Sequence, residues 1–180
     1  MKTLILLRHA KSSWDDMAIR DVDRRLNDKG ERAATTMGRH LRTIGLAWDH
    51  AIASPAARVQ ETLAHVAGGL GRAIEPVWDR RVYLASAATL IDLIRQLPDS
   101  AGTVLLAGHN PGLEDLVLLL TPDRADDGLR GDVEAKFPTA SLAVLTLPID
   151  HWADLTEGSA TLTRFTRPRD LDPTLGPDGD

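Results

Sequence analysis

Three segments of the chain place an arginine or a histidine at or just beyond the end of a short apolar run. They read LILL-Arg8-His9, AIA-SPAA-Arg58 and TVLLAG-His109. If each run is a strand of an open α/β sheet, the residues that follow it lie where ligands bind, beyond the carboxyl ends of the strands. Two arginines and two histidines at one edge would form a cationic pocket. Such a pocket suits the tetrahedral oxygens of a phosphoryl group, because the planar fork of arginine pairs with two oxygens at once.

Two predicted helix starts reinforce this pocket. Ser54-Pro55 has the pattern of an N-cap followed by proline at the first helical position, and Asn110-Pro111 begins a helix directly after His109. Free N–H groups and a partial positive charge at helix N-termini attract anions. Taken singly, each residue has an ordinary structural interpretation, and only the joint pattern favours a site. The remaining histidines lack this setting and are interpreted as structural or surface residues: 40, 50, 65 and 151.

The elements that must position these residues alternate along the chain. Apolar runs predict strands over 3–7, 50–53, 74–77, 103–107, 141–147 and 161–166. Helical spacing and cap residues predict helices over 28–44, 54–66, 87–97 and 110–120. This alternation predicts an α/β fold, a three-layer sandwich in which helices cover both faces of a mostly parallel central sheet.

The chain is interpreted as a single domain over 1–168. Within it, residues 121–138 are charged and rich in Asp and Gly, which predicts a mobile excursion. Residues 169–180 combine Asp, Pro and Gly, which predicts a disordered tail.

Composition excludes several classes of function. A net charge of −5 over 180 residues argues against a general nucleic-acid binder, and the absence of cysteine excludes disulfides and thiolate chemistry. No apolar stretch is long enough to span a membrane, and the apolar start ends at Arg8, too soon for a signal peptide. We therefore expect a cytoplasmic protein without a cofactor or metal, and nothing in the sequence demands more than a monomer.

The same motifs resemble a known family. Leu7-Arg8-His9-Ala10 is similar to the Arg-His-Gly signature of the histidine phosphatase (phosphoglycerate mutase-like) superfamily, with Ala10 in place of the glycine. SPAAR at 54–58 and GHN at 108–110 resemble its second arginine and second histidine motifs. The resemblance runs from about Thr3 to Pro168 and implies a phosphoglycerate mutase-like fold. Four stretches are most similar to the short SixA-type phosphohistidine phosphatases: RHAKSSW at 8–14, RRLNDKG at 24–30, GHNPGLEDL at 108–116 and FPTASLAVL at 137–145.

The resemblance implies that a ring nitrogen of His9 attacks phosphorus and forms a phosphohistidine that water hydrolyses. Arg8, Arg58 and His109 would bind the phosphoryl oxygens, His109 as a protonated donor once phosphate is bound. Ser12 and Asn110 are the further substrate-binding candidates. The attacking imidazole must be neutral, so we expect the arginines to lower the pKa of His9 by repulsion, and a backbone carbonyl to hold its other nitrogen.

One absence bears on the substrate. Larger phosphatases of the superfamily carry a Glu or Asp general acid in the region that here reads VYLAS at 82–86, where no carboxylate occurs. An alkoxide leaving group needs a proton in transit, whereas an imidazole needs far less help. The sequence therefore favours phosphohistidine in a signalling or phosphotransfer protein, which would be both substrate and partner. Asp15, Asp16 and Glu114 are candidate substitute acids, although each also reads as an ordinary loop or first-turn carboxylate.

Other functions remain as alternatives. A metal hydrolase could use His9 and His109 with Asp15 or Asp16, but the neighbouring arginines would repel a cation and no His-Glu-x-x-His spacing occurs. A binding module for phosphorylated ligands could keep the pocket without turnover. Within the superfamily, a small-molecule phosphomonoesterase or a mutase is also an alternative, although the chain is short for a mutase and lacks the acid that mutases use.

Overall fold

Six strands form one sheet at the centre of the computed structural model, which describes residues 1–177. The strands are β1 Lys2–Arg8, β2 His50–Ala53, β3 Val77–Trp78, β4 Thr103–Gly108, β5 Leu142–Leu147 and β6 Thr161–Thr166. The helices are α1 Asp28–Ile44, α2 Ala57–Leu70, α3 Ala87–Arg95, α4 Gly112–Leu120, α5 Gly128–Ala135 and α6 Pro168–Leu171. The spatial order is β3-β2-β4-β1-β5-β6. Only β5 runs against the others, because it is antiparallel to both β1 and β6.

Both faces of the sheet are covered by helices. In β1, Leu4 and Leu6 belong to one core cluster while Ile5 and Leu7 belong to the other, as expected when alternate side chains of a strand point to opposite faces. Helices α3, α4 and α5 supply the first cluster, and α1 and α2 supply the second. Burial on both sides explains why the strands read as continuous apolar runs. The predicted three-layer α/β sandwich is confirmed.

Two glycines let α1 and α2 approach each other closely. A Cβ atom on Gly38 would lie 2.1 Å from the backbone oxygen of Val66, and a Cβ on Gly69 would lie 2.1 Å from that of Thr35. Neither approach tolerates a side chain, so the glycines allow backbone-to-backbone contact of the two helices. The close packing of α1 against α2 holds the start of α2 at the edge of the sheet.

Two predicted helix starts were wrong by a few residues. Ser54-Pro55 does not open α2, which begins at Ala57 without a side-chain cap and continues past 66 to Leu70. The helix predicted from 110 begins at Gly112. In both cases the extra residues form a turn between strand and helix. That turn brings the side chains of Ser54 and Asn110 into the site described below.

The predicted mobile excursion over 121–138 contains the helix α5, so this prediction was wrong over Gly128–Ala135. Asp127 caps α5 by accepting a hydrogen bond from the Arg130 amide at 3.0 Å. Val133 and Phe137 are buried in the core against α4 and the sheet. Two buried apolar side chains four residues apart offset the charged composition that suggested disorder.

The predicted disordered tail, 169–180, is folded as far as the structure describes it. Helix α6 is followed by a 3-10 turn over Pro173–Leu175, and the side chain of Leu175 is buried in the same core cluster as α1, with Leu171 packed beside it. The prolines begin turns here rather than preventing order. Residues 178–180, which belong to the same prediction, lie outside the described residues.

The strand directions bring several chain segments to one edge of the sheet. Because β1, β2 and β4 are parallel, their carboxyl ends meet there. Leu142 at the start of β5 pairs with Leu7 and with Thr166 at the end of β6, so the turn before β5 and the chain after β6 reach the same edge. We call it the carboxyl edge. Within residues 1–177, no helix is long and apolar enough to cross a membrane.

Candidate active site

The residues predicted from the three strand ends meet at the carboxyl edge. Arg8, His9, Arg58 and His109 all line one cavity of about 510 Å³. The backbone fixes the two histidines relative to each other, because the His9 amide donates to Gly108 O at 3.1 Å across the β1–β4 pair. Their ring centroids lie 5.3 Å apart. The predicted pocket therefore exists as a single site.

His9 is held in one tautomer. Its Nδ1 lies 2.7 Å from the backbone oxygen of Ala10, which can only accept, so Nδ1 carries the proton and Nε2 carries a free lone pair. Burial is the main cause that lowers the pKa of His9 to about 3; the hydrogen bond to Ala10 opposes it, and the charges of Arg8, His109 and Arg58 lower it further. The predicted repulsion by arginines is thus secondary to desolvation. The ring is neutral at pH 7 and can act as a nucleophile.

Ser54 positions His109, a role that the sequence did not predict. Its fully buried hydroxyl lies 2.7 Å from Nε2 of His109 and accepts a hydrogen bond from the Ala56 amide at 3.3 Å. With that amide as donor, we interpret the hydroxyl proton as directed to Nε2, which leaves the ring proton on Nδ1. Burial, followed by the charge of Arg58, lowers the pKa of His109 to about 4, so this ring is neutral in the structure. Its protonation in the presence of phosphate stays a prediction.

Three buried nitrogen atoms of residues that line the cavity lack a protein hydrogen-bond partner. Within residues 1–177, the buried atoms Arg8 Nε, Arg58 Nε and His109 Nδ1 have no hydrogen-bond partner. Other atoms of the two guanidinium groups are fixed: Arg8 Nη1 donates to Phe137 O at 2.9 Å, and Arg58 Nη1 donates to Asp21 O at 2.7 Å. A buried donor without an acceptor costs about 1–3 kcal/mol, so three in one cavity indicate a site for an anion.

Asp21 is the functional residue that the sequence analysis missed. Its carboxylate accepts hydrogen bonds from Arg58 at 3.0 Å, from Arg24 at 3.1 Å and from the hydroxyl of Tyr83. Burial alone would raise the pKa of Asp21, but these three donors together hold it well below its usual range. The only signal in the sequence was indirect, since Arg24 lies in the RRLNDKG stretch. Asp21 itself precedes that stretch in a polar loop.

The other predicted site residues divide into two groups. Ser12 and Asn110 line the cavity, where Arg24 Nη1 donates to Ser12 Oγ and Asn110 Nδ2 donates to Phe137 O at 2.9 Å. These contacts stabilise the cavity wall, and substrate binding by either residue stays a prediction. The candidate acids do not line the cavity: Asp15 and Asp16 are exposed in a loop, and Glu114 lies in the first turn of α4, where burial raises its pKa.

Metal binding was the main alternative chemistry. Across the described part of the chain, no three His, Asp or Glu side chains lie close enough together to hold a metal ion.

Comparison with known proteins decides the family. A family model described as histidine phosphatase superfamily (branch 1) matches residues 4–81. An uncharacterized protein of Mycobacterium tuberculosis is 36% identical over 164 residues, covering 91% of this chain and all of that one. The SixA structure from Nakamurella multipartitia is 30% identical with a TM-score of 0.80, covering 93% of this chain and 96% of that chain. The chain belongs to the histidine phosphatase superfamily.

Within the superfamily, the SixA type predicted from the sequence motifs is confirmed. A second SixA structure, from Agrobacterium tumefaciens, is 28% identical with a TM-score of 0.74 and covers 92% of this chain and 97% of that chain. Each of these two matches covers more than nine-tenths of this chain. The broad activity, that of a phosphatase, follows from this membership.

Proposed function

We propose that this histidine phosphatase hydrolyses phosphohistidine in a signalling or phosphotransfer protein, without a metal ion and through a covalent intermediate on His9. The observation that supports the proposal is the state of His9: its Nδ1 donates to Ala10, and its neutral ring lines the cavity together with Arg8, Arg58 and His109. The two SixA relatives described above are named as candidate phosphohistidine phosphatases, which agrees with this substrate class.

The proposed reaction has two displacements at phosphorus. In the first, the Nε2 lone pair of His9 forms a bond to phosphorus while the bond from phosphorus to the substrate imidazole breaks, and that imidazole takes a proton from solvent. In the second, a water oxygen attacks phosphorus, loses one proton to solvent and displaces Nε2. The guanidinium groups of Arg8 and Arg58 and the imidazole of His109 would donate to the phosphoryl oxygens in both steps, where charge is spread over those oxygens.

The state of the carboxylate in the cavity lining supports a phosphoramidate substrate. Among the described residues that line the cavity, Asp21 is the only carboxylate, and three hydrogen-bond donors keep it ionised. An ionised, fully engaged carboxylate cannot protonate an alkoxide leaving group. General acid catalysis contributes about 10²–10⁴-fold where it operates. Alkyl phosphate esters should therefore react slowly, whereas an imidazole leaves without such help.

The test compares two substrates and two variants in the presence of EDTA. A chemically phosphorylated histidine-containing phosphotransfer protein and an alkyl phosphate are each incubated with the wild type, His9→Ala and His65→Ala, a matched change of a half-buried helix histidine that does not line the cavity. We expect the wild type and His65→Ala to release phosphate equally from phosphohistidine, with a loss of at least about 10³-fold in His9→Ala. Turnover of the alkyl ester should be slower than turnover of phosphohistidine by at least about a hundredfold.

Several outcomes would contradict the proposal. Full activity of His9→Ala, or loss of wild-type activity in EDTA, would overturn the covalent, metal-independent mechanism. Fast hydrolysis of the alkyl ester alone would overturn the substrate class. Phosphate binding without release from either substrate would favour a binding module.

A further inference from the structure

The charged groups of the cavity form two sets at different depths. The first set, which we call the floor, consists of Arg8, His9, Arg58 and His109. Arg58 and His109 are 2% and 3% exposed. The second set, which we call the rim, consists of Lys11, Lys29, Lys136 and Arg169, which line the same cavity and are exposed or half-buried. The floor can surround a phosphoryl group, whereas the rim faces whatever extends from it.

The rim adds more positive charge than a phosphoryl group needs. Arg8, Arg24 and Arg58 carry three positive charges and Asp21 one negative charge, which leaves two to match the roughly two negative charges of a bound phosphoryl group at pH 7. Lys136 and Arg169 of the rim provide two more positive charges, whereas Lys11 and Lys29 already have partners. Arg167 also lines the cavity, but its guanidinium donates to both oxygens of Asp170 at 3.0 Å and is largely neutralised.

The positive charge of the rim contrasts with the acidic composition of the whole chain. The protein has 26 acidic and 21 basic residues, yet Asp21 is the only acidic residue among the described lining, and Arg24, Arg58 and Tyr83 already engage it. A concave surface with one sign of charge focuses its electrostatic potential and attracts ligands of the opposite sign. The described lining of the cavity is therefore positive in an acidic protein.

Lys29 lies at a helix position that is unfavourable for a cation, and it links α1 to the C-terminal segment. Lys29 is the second residue of α1, where a cation opposes the helix dipole, an effect of about 0.3–1 kcal/mol. Its Nζ donates to the backbone oxygen of Gly176 at 2.5 Å, which places the C-terminal segment along the cavity. Arg169 lies in that segment, and Lys136 directly precedes Phe137, whose carbonyl holds Arg8. Four separate segments thus converge to supply the rim.

We propose that the rim is a second anion subsite, which binds a negatively charged group of the substrate other than the phosphoryl group that is hydrolysed. The inference rests on the proposed function and defines its substrate more closely. The ligand chemistry is a carboxylate or phosphate oxygen, supplied either by acidic residues beside the phosphohistidine or by a second phosphate on the same molecule.

The first experiment uses two phosphohistidine peptides of equal length. In one peptide Asp and Glu flank the phosphohistidine, and in the other Asn and Gln replace them. We expect the wild type to show about fivefold to tenfold higher kcat/KM for the acidic peptide, a size typical of a few partly exposed ion pairs. The double variant Lys136→Gln/Arg169→Gln should lose most of this preference and still hydrolyse the neutral peptide. High salt should also reduce the preference, because it screens charges at the surface.

The matched control is Arg39→Gln/Arg72→Gln, which removes two exposed cations outside the cavity. It should keep the wild-type preference, which would show that net charge alone is not the cause. Lys136→Gln alone changes an exposed side chain and serves as the variant least able to disturb folding.

A second arm separates the two sources of the anion. Inorganic phosphate and tripolyphosphate are compared as inhibitors of the wild type and of Lys136→Gln/Arg169→Gln, the rim variant. The subsite would be assigned to a second phosphate if tripolyphosphate inhibits the wild type more strongly, the rim variant loses this difference, and the two peptides react at equal rates. Equal rates on both peptides together with equal inhibition would overturn the inference, as would a preference that survives in the rim variant. If neither peptide is hydrolysed, the proposed function fails. The subsite is then tested by binding alone, as the strength with which tripolyphosphate competes with inorganic phosphate for the wild type and for Lys136→Gln/Arg169→Gln.

Discussion

The floor and the rim of the cavity are built in different ways. The floor histidines follow adjacent strands and are joined by backbone hydrogen bonds: His9 N donates to Gly108 O at 3.1 Å, and Ala140 N donates to His9 O at 3.0 Å. The rim side chains lie on segments outside the sheet, such as α6, and have more freedom. Covalent chemistry needs atoms held within about half an ångström, whereas long cationic side chains can follow an anion over several positions. The difference suggests that the floor determines the reaction and the rim determines which substrates reach it.

Removing a floor arginine should have the largest effect. Arg58→Ala takes away a buried donor to the phosphoryl oxygens, and we expect kcat/KM for phosphohistidine to fall about 10²–10³-fold, as for loss of one donor at a developing anion. Arg25→Ala is the control, since Arg25 is exposed and pairs with Glu61 at 2.9 Å outside the cavity. Steady-state kinetics on both variants provide the measurement. A loss below tenfold in Arg58→Ala would mean that the floor does not bind the phosphoryl group as described.

A change behind the floor should have an intermediate effect. Ser54→Ala removes the partner of His109 Nε2 without touching the cavity lining, so we expect kcat to fall about tenfold and KM to change little. The ring-nitrogen NMR shifts of His109 should show loss of the Nδ1–H tautomer, a readout that a merely structural role would not move. Ser100→Ala, at an exposed turn, serves as the control. An unchanged tautomer in Ser54→Ala would refute the positioning role.

Loosening the rim should have the smallest effect. Leu175→Ala removes a buried side chain that packs the C-terminal segment onto the core cluster around α1, so Arg169 should be held less firmly. We expect KM for the acidic peptide to rise twofold to threefold, with kcat unchanged, and stability to fall by about 2 kcal/mol, the low end for a buried leucine. Leu46→Ala changes a partly buried leucine that packs against the same cluster away from the cavity, and it should lower stability without changing KM. A large drop in kcat would show that floor and rim are not separable.

The floor was predictable from the sequence because each of its parts is local. An apolar run followed by Arg8 and His9 predicts both the strand and the chemistry at its end, and the parallel arrangement then brings the ends together. Asp21 was not predictable, because its contact with Arg58 joins residues 37 apart through an irregular loop. Ser54 was assigned to a helix cap by a local pattern, and the turn that redirects it to His109 depends on the tertiary packing.

The two folded segments that looked disordered have a common cause. Their composition is polar, but each contains two apolar residues four apart, Val133 with Phe137 and Leu171 with Leu175, that pack against the core. Averaged composition conceals so small an apolar face, although one buried leucine or phenylalanine contributes about 1.5–3 kcal/mol.

The reversal of β5 has a practical consequence for handling the protein. Because β6 returns in the direction of β1, the chain leaves the sheet beside the floor, while the N-terminus lies at the opposite edge, where the Met1 amino group is 3.7 Å from the carboxylate of Asp150. Pro177, the last residue that the structure describes, lines the cavity, so an affinity tag fused at this end of the chain would be tethered near the mouth and would compete with substrate there. A tag joined to Met1 would be held a full strand length away, so N-terminal fusions are the suitable form for every kinetic comparison.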